Sequence, residues 1–249
     1  MNPYLKNLER IEFVITYACT GRCKHCSQGE HPGRSSIDTE AALRLVRDVT
    51  QHYRIRSLMT FGGEPLLYPQ TVCAIHELAH KAQIPKRQLI TNGFFSCDST
   101  RIREVARDLA RAQVNSILVS VDAFHQETIP LEPVTEFVSA LQGLGLPLRM
   151  QPAWLVSETH DNPYNRRTRE ILAGFEAMGV PTGAGNVIFP SGNAVKYLSA
   201  YFDPDKEYIN PYEDDPQDLR CISAEPDGSL LGGNICHQDA LQILQAYRP

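Results

Sequence analysis

The chain has 249 residues, 42% of them hydrophobic and 21% charged, with a formal net charge of −5, which describes a folded protein with a sizeable core rather than a disordered or disulfide-stapled one. The acidic balance offers no electrostatic footprint for a phosphate backbone, so no nucleic-acid partner is predicted. No apolar run approaches a membrane span, and charges interrupt the N-terminal stretch where a secretory leader would be apolar, so a cytoplasmic protein without membrane contact is expected.

Apolar runs and amphipathic segments alternate along the chain, the signal of βα units and a parallel sheet. The first predicted strand, Ile11 to Thr16, runs into "YACTGRCKHC". A helix follows over Thr39 to Tyr53, with Asp38 as its cap and Ala42, Leu43, Leu45, Val46 and Val49 as an apolar stripe. Strand Ser57 to Thr60 leads to "FGGEP" and helix Pro69 to Ala82; strand Gln88 to Thr91 leads to "TNG" and helix Ser99 to Ala112. Strand Ser116 to Val121 enters "SVDAFH" before helix Pro133 to Leu144. Strand Leu146 to Gln151 precedes helix Asn165 to Met178, and a sixth strand, Gly185 to Phe189, ends in "FPSGN". From about Tyr201 the rhythm stops in an acidic, Pro-punctuated connector, and a small segment with Cys221, "EPDGSL" and "GGNICHQDALQIL" follows. Right-handed crossovers lay six such strands side by side, as an open sheet or a partial barrel. Both arrangements bind ligands at the C-terminal strand ends, and the unusual residues collect there.

Seven cysteines are an odd number, and Cys19, Cys23 and Cys26 are too tightly clustered for three independent disulfides, so metal or redox chemistry in a reducing compartment is expected. A cubane [4Fe-4S] cluster has four irons, and three thiolates leave one of them open. A zinc site using His25 and a distant cysteine is the alternative. Adjacent side chains point apart, which disfavours His25 sharing an ion with Cys26, and no second close CxxC pair is present.

At these residues the chain resembles the radical SAM superfamily, whose CxxxCxxC pattern is matched by Cys19, Cys23 and Cys26, and whose GGEP segment is matched after the second strand by Gly62, Gly63, Glu64 and Pro65. "TNG", Thr91 to Gly93, and "SVDAFH", Ser120 to His125, resemble its third and fourth strand endings. The resemblance implies an α/β fold built as a partial (β/α)6 barrel over residues 1–200, with a short irregular C-terminal extension, 201–249, packing on it. It implies a [4Fe-4S] cluster on the three cysteines, with S-adenosylmethionine chelating the open iron. Reductive cleavage would then give a 5′-deoxyadenosyl radical that abstracts a substrate hydrogen. By the same resemblance Gly62, Gly63, Glu64, Asn92, Ser120, Asp122 and Gln151 are expected at the cofactor, with Glu64 facing the methionyl ammonium. Ser120 and Asp122 alternate and would share a strand face, and His125 is expected to move a proton. The implied partners are a reductant of flavodoxin or ferredoxin type and a substrate, a peptide or protein side chain or else a small molecule. A glycyl-radical activase and a non-catalytic iron-sulfur carrier are the other readings. The tail resembles a SPASM or twitch-type extension short of cysteines, so Cys97, Cys221 and Cys236 either share an auxiliary cluster or belong to a degenerate cap. Cys73, His76 and His80 fall on one stripe of the second helix, which is expected on the outer ring away from the site.

Overall fold

The computed structural model describes residues 2–30, 33–208 and 210–249. Strand β1 (Arg10–Val14) is followed by helix α1 (Thr39–His52), β2 (Ser57–Phe61), α2 (Pro69–Lys81), β3 (Lys86–Thr91), α3 (Ser99–Arg111), β4 (Ser116–Val119), α4 (Leu131–Gly143) and β5 (Leu148–Met150). Each helix lies within two residues of its expected start and end. Asp38 caps α1 by accepting from the N–H of Ala41 at 2.7 Å, and Asp98 caps α3 through the N–H of Thr100 at 2.9 Å, so both chain reversals are set locally.

The main sheet has six parallel strands, the five above and β8 (Cys221–Ala224), in the order β5-β4-β3-β2-β1-β8. Its last member, β8, comes from the C-terminal segment and pairs with β1 on the far side from β2, Phe13 standing opposite Ala224. The strand expected at Gly185 to Phe189 is present only as β7 (Asn186–Val187), which pairs with β6 (Ala153–Trp154) in a separate two-stranded sheet. The cause is local. Pro152 has no N–H to extend the β5 ladder, and the chain bridges Met150 to Thr182. It then turns at Gly185, where φ is +74° and a Cβ would lie 2.4 Å from the carbonyl oxygen of Pro152. Helix α5 (Pro163–Ala177) precedes that break and α6 (Asn193–Tyr197) follows it. Hairpin β9 (Ser229–Leu230) and β10 (Gly233–Asn234) and helix α7 (Ala240–Ala246) complete the chain.

Ile11 and Phe13 on β1, Leu58 on β2 and Leu89 on β3 are fully buried in one core with Leu45, Val46 and Val72 of the helices. The other face of β1 carries Arg10 and Glu12, whose side chains remain 28% and 19% exposed although the strand is flanked on both sides. Arg10 pairs with Glu12 and donates to Gln88 Oε1 at 3.2 Å. A central parallel strand covered on both faces is apolar on both, so this alternation marks an inner face that water reaches. Among the described residues no helix is long and apolar enough to cross a membrane.

Candidate active site

The loop after β1 is fastened before it reaches the cysteines. The N–H of Ile15 donates to Phe61 O at 2.8 Å, Thr16 Oγ1 donates to Ser35 O at 2.8 Å, and the N–H of Ala18 returns to Thr16 Oγ1 at 3.0 Å. Turns then join Cys26 N to Cys23 O and Gly29 N to Cys26 O, each at 3.2 Å. From the other side Asn193 donates its N–H to Cys26 O at 2.9 Å and its amide to Cys23 O at 3.2 Å. "FPSGN" therefore clamps the cysteine loop, a role its sequence does not announce.

"FGGEP" lies directly against that loop. Gly62 has φ +144°, and a Cβ on it would stand 2.4 Å from Thr16 O; one on Gly63 would stand 2.3 Å from Ala18 O. Only glycine permits this approach, and it brings Gly63 N to Thr16 O at 2.7 Å and Glu64 N to Ala18 O at 2.8 Å. Glu64 has no exposed surface. Its carboxylate accepts from Leu66 N at 2.9 Å, Thr91 Oγ1 at 2.7 Å and Asn92 N at 2.8 Å. All three donors are neutral, and burial pushes the carboxyl up to about 7 despite them. Asn92 extends the network, its Nδ2 lying 3.1 Å from Thr20 Oγ1 and 3.5 Å from Cys19 Sγ.

The β4 tip builds a second cluster. Asp122, also fully buried, accepts from the N–H groups of Phe124 (2.9 Å), His125 (3.0 Å) and Ala153 (3.0 Å) and from His125 Nδ1 (2.8 Å). Burial opposes its ionisation, but His125, His25 and these hydrogen bonds outweigh it and hold the carboxyl well below the usual range. The expected strand alternation of Ser120 and Asp122 is not found. β4 stops at Val119, and Asp122 opens the following turn. His25 meets His125 with ring centroids 4.8 Å apart, and Cys23, His25 and His125 bring their ligand atoms within 4.8 Å of one another. This convergence crosses about a hundred positions and leaves no local signal. Ser120 and Gln151 sit half-buried at neighbouring strand tips, their N–H groups donating at 2.8 Å to Thr91 O and Val119 O.

Other residues fall elsewhere. Cys221 begins β8 opposite Arg10, at the sheet end away from these loops, while Cys97 is exposed in the loop beyond β3. Cys236 lies against Gly228. Among the described residues Cys97, Cys221 and Cys236 form no metal-binding group; Cys23, His25 and His125 are the one close set. His76, on α2, is fully buried, with Nε2 2.9 Å from Thr60 Oγ1. Sequence reasoning missed Glu225, which follows β8 and accepts from the hydroxyl of Tyr17 beside the cysteine loop.

A parallel partial barrel whose first rim loop carries three thiols, with a Gly-Gly-Glu turn laid against it, defines the class of this protein. The Radical SAM superfamily model matches residues 13–147, more than half of the chain, and the chain belongs to that superfamily of enzymes. Its members use a [4Fe-4S] cluster and S-adenosylmethionine and need a reductant and a substrate. The GTP 3′,8-cyclase of Picosynechococcus sp. is 27% identical over 133 residues, 51% of this chain and 37% of that protein, so the chain covers little more than a third of the relative's length. The structure of anSMEcpe with bound AdoMet shares the fold with a TM-score of 0.59 at 13% identity, over 96% of this chain and 80% of that one. Streptococcus suis SuiB bound to precursor peptide SuiA does so with a TM-score of 0.59 at 11% identity, over 98% and 68%.

The donor chemistry fits the cluster. Cys23 is buried, and desolvation, Asp122 and the other two thiols push its thiol up; Cys19 opens to solvent and is raised less, to about 11, by partial desolvation of its sulfur. Thiolates gathered at such a site need cations in place of their protons. They are not gathered as ligands of one ion, and a cluster that gave each thiolate its own iron would not require that.

Proposed function

We propose that this chain is a radical S-adenosylmethionine enzyme acting on a polar small molecule, with Cys19, Cys23 and Cys26 holding three irons of the cluster. When bound, the [4Fe-4S] cluster supplies an open iron and one electron to S-adenosylmethionine, whose cleavage supplies a 5′-deoxyadenosyl radical for hydrogen abstraction. The observation that carries the reading is Glu64. A buried carboxylate with only neutral donors, one residue network away from Cys19, is electrostatically incomplete until a cation such as an amino acid ammonium arrives. Gly62 and Gly63 present backbone to that ligand, and Asn92, Ser120 and Gln151 line the adjoining tips. Asp122 orients His125, which holds or moves a proton at Nε2. The reductant is a flavodoxin or ferredoxin, and all seven free cysteines suit a reducing cytoplasm.

The sequence relatives named GTP 3′,8-cyclase favour a polar metabolite; Arg10, Glu12 and Gln88 make the inner face below the loops polar as well, toward its far end. A peptide substrate is the second reading, favoured by the exposed apolar side chains of Val187, Val195, Tyr197, Tyr201 and Tyr212 after the last βα unit. Anaerobic reconstitution with iron and sulfide, followed by dithionite and S-adenosylmethionine, is expected to give 5′-deoxyadenosine. A loaded cluster that yields none would leave an electron carrier instead. Deuterium transfer into that product from labelled metabolites or from labelled peptides separates the two substrate classes.

A further inference from the structure

We propose that the chain, when it carries no cluster, holds a single divalent transition-metal ion of the zinc or ferrous class at Cys23, His25 and His125, and that this occupancy and the cluster exclude each other. One sulfur and two imidazole nitrogens from these residues lie within 4.8 Å of one another. A tetrahedral ion with bonds of about 2.3 Å to sulfur and about 2.0 Å to nitrogen puts its ligand atoms about 3.5 Å apart, so the set closes by about 1 Å. That is a side-chain adjustment, not a rebuilding of the loops.

His125 already has the support a ligating imidazole needs. Its Nδ1 is bonded to Asp122 Oδ2 at 2.8 Å, which fixes the ring and leaves Nε2 as the nitrogen open to an ion. Asp122 is itself held by three backbone N–H groups, so the ring's orientation is inherited from the β4 turn. His25 packs between His125 and Phe124, with centroids 4.8 Å and 5.1 Å away. Its Nδ1 is buried without a hydrogen-bond partner among the described residues, and such an orphan costs stability until something binds it.

Two imidazoles and a thiolate select a borderline ion over calcium or magnesium, which require oxygen ligands. Binding releases the Cys23 proton to solvent, forms the metal–sulfur bond and leaves a fourth position for water. Cys23 is the residue shared with the cluster. A sulfur drawn between two histidines is not available to hold a cube in common with Cys19 and Cys26, so the mononuclear ion must leave before the cluster forms.

Cobalt(II) added to the anaerobic, cluster-free full chain tests this. One equivalent is expected to bind, with the strong visible bands of a tetrahedral site and a thiolate-to-cobalt charge-transfer band. Cys23→Ser should abolish the charge-transfer band, and His25→Asn and His125→Asn should each weaken binding at least tenfold. Asp122→Asn should weaken it about tenfold, as loss of a carboxylate behind a ligating histidine does. Cys19→Ser should leave cobalt binding unchanged while preventing cluster assembly, which separates this site from the cluster reading. Iron and sulfide should expel the cobalt from wild type. Bands that survive both histidine substitutions, bands lost in Cys19→Ser, or cobalt and cluster held together would overturn the proposal. Circular dichroism checks folding, and His25→Gln and His125→Gln replace any asparagine variant that fails it.

Discussion

Glu64 and Asp122 are both carboxylates with no exposed surface, both at strand tips beside the cysteine loop; burial pushes both upward, and their different partners decide which of them stays raised. Glu64 accepts from one hydroxyl and two backbone N–H groups, which is too little to offset desolvation, and its carboxyl rises to about 7. Asp122 has three backbone donors and His125 against it, with His25 near, and stays ionised. Asp122 is complete within the chain, whereas Glu64 lacks a cation. A completed site is architecture, and an incomplete one is where a charged ligand belongs.

The largest test of this contrast concerns the thiols between the two carboxylates. Cys19→Ala is expected to remove essentially all cluster iron while leaving the fold intact, measured by iron content and circular dichroism after anaerobic reconstitution. Asp122→Ala comes next, because it strands three backbone N–H groups, two of them buried, and an imidazole at once. A loss of about 3–5 kcal/mol in urea unfolding of the cluster-free chain is expected. If Asp122 proved as dispensable as an exposed acid, the idea that it completes the β4 turn would fail.

Glu64 should show the opposite behaviour, in its pH dependence. A carboxyl with an ordinary value of 4.5 and a folded value of about 7 stabilises the fold below pH 4.5, and that contribution is lost as pH rises through 7. The full swing is about 3 kcal/mol. The difference in urea midpoint between wild type and Glu64→Gln should therefore change sign or shrink between pH 5 and pH 8 in the absence of S-adenosylmethionine. Adding the cationic ligand should restore part of the wild-type stability at pH 8, and a flat difference across this range would show that Glu64 is not starved of charge.

The sequence made some of this legible and hid the rest for physical reasons. The cysteine spacing and "FGGEP" are local patterns, and the glycines disclose a close backbone approach because no other residue allows it. Helices α1 to α5 and strands β1 to β5 follow from periodicity, whereas α6 and α7 are too short to show one. β8 stayed hidden because four residues, Cys221 to Ala224, inside a polar tail carry too short an alternation to be read. The sixth expected strand was overextended because Gly185 and Pro152 act on each other across thirty positions. Glu225 against Tyr17, Asn193 against the cysteine turns, and His25 against His125 are long-range meetings of ordinary residues. Only the folded chain brings them together.

The smallest effect is expected from the ion pair that visibly joins the two regions. Lys24, in the cysteine loop, reaches Glu127, just past the β4 turn, at 2.9 Å, with both side chains about a third exposed. Solvent and salt screen such a pair, so Lys24→Ala should cost less than about 1 kcal/mol, and less still in added salt. The same two loops are also joined by the buried contact of Ile129 with Gly21 and by Arg22 N donating to Thr128 Oγ1 at 3.0 Å. If Lys24→Ala instead matched Asp122→Ala in urea unfolding, the rim would be held by surface charge, and the contrast between a completed and an incomplete buried carboxylate would lose its meaning.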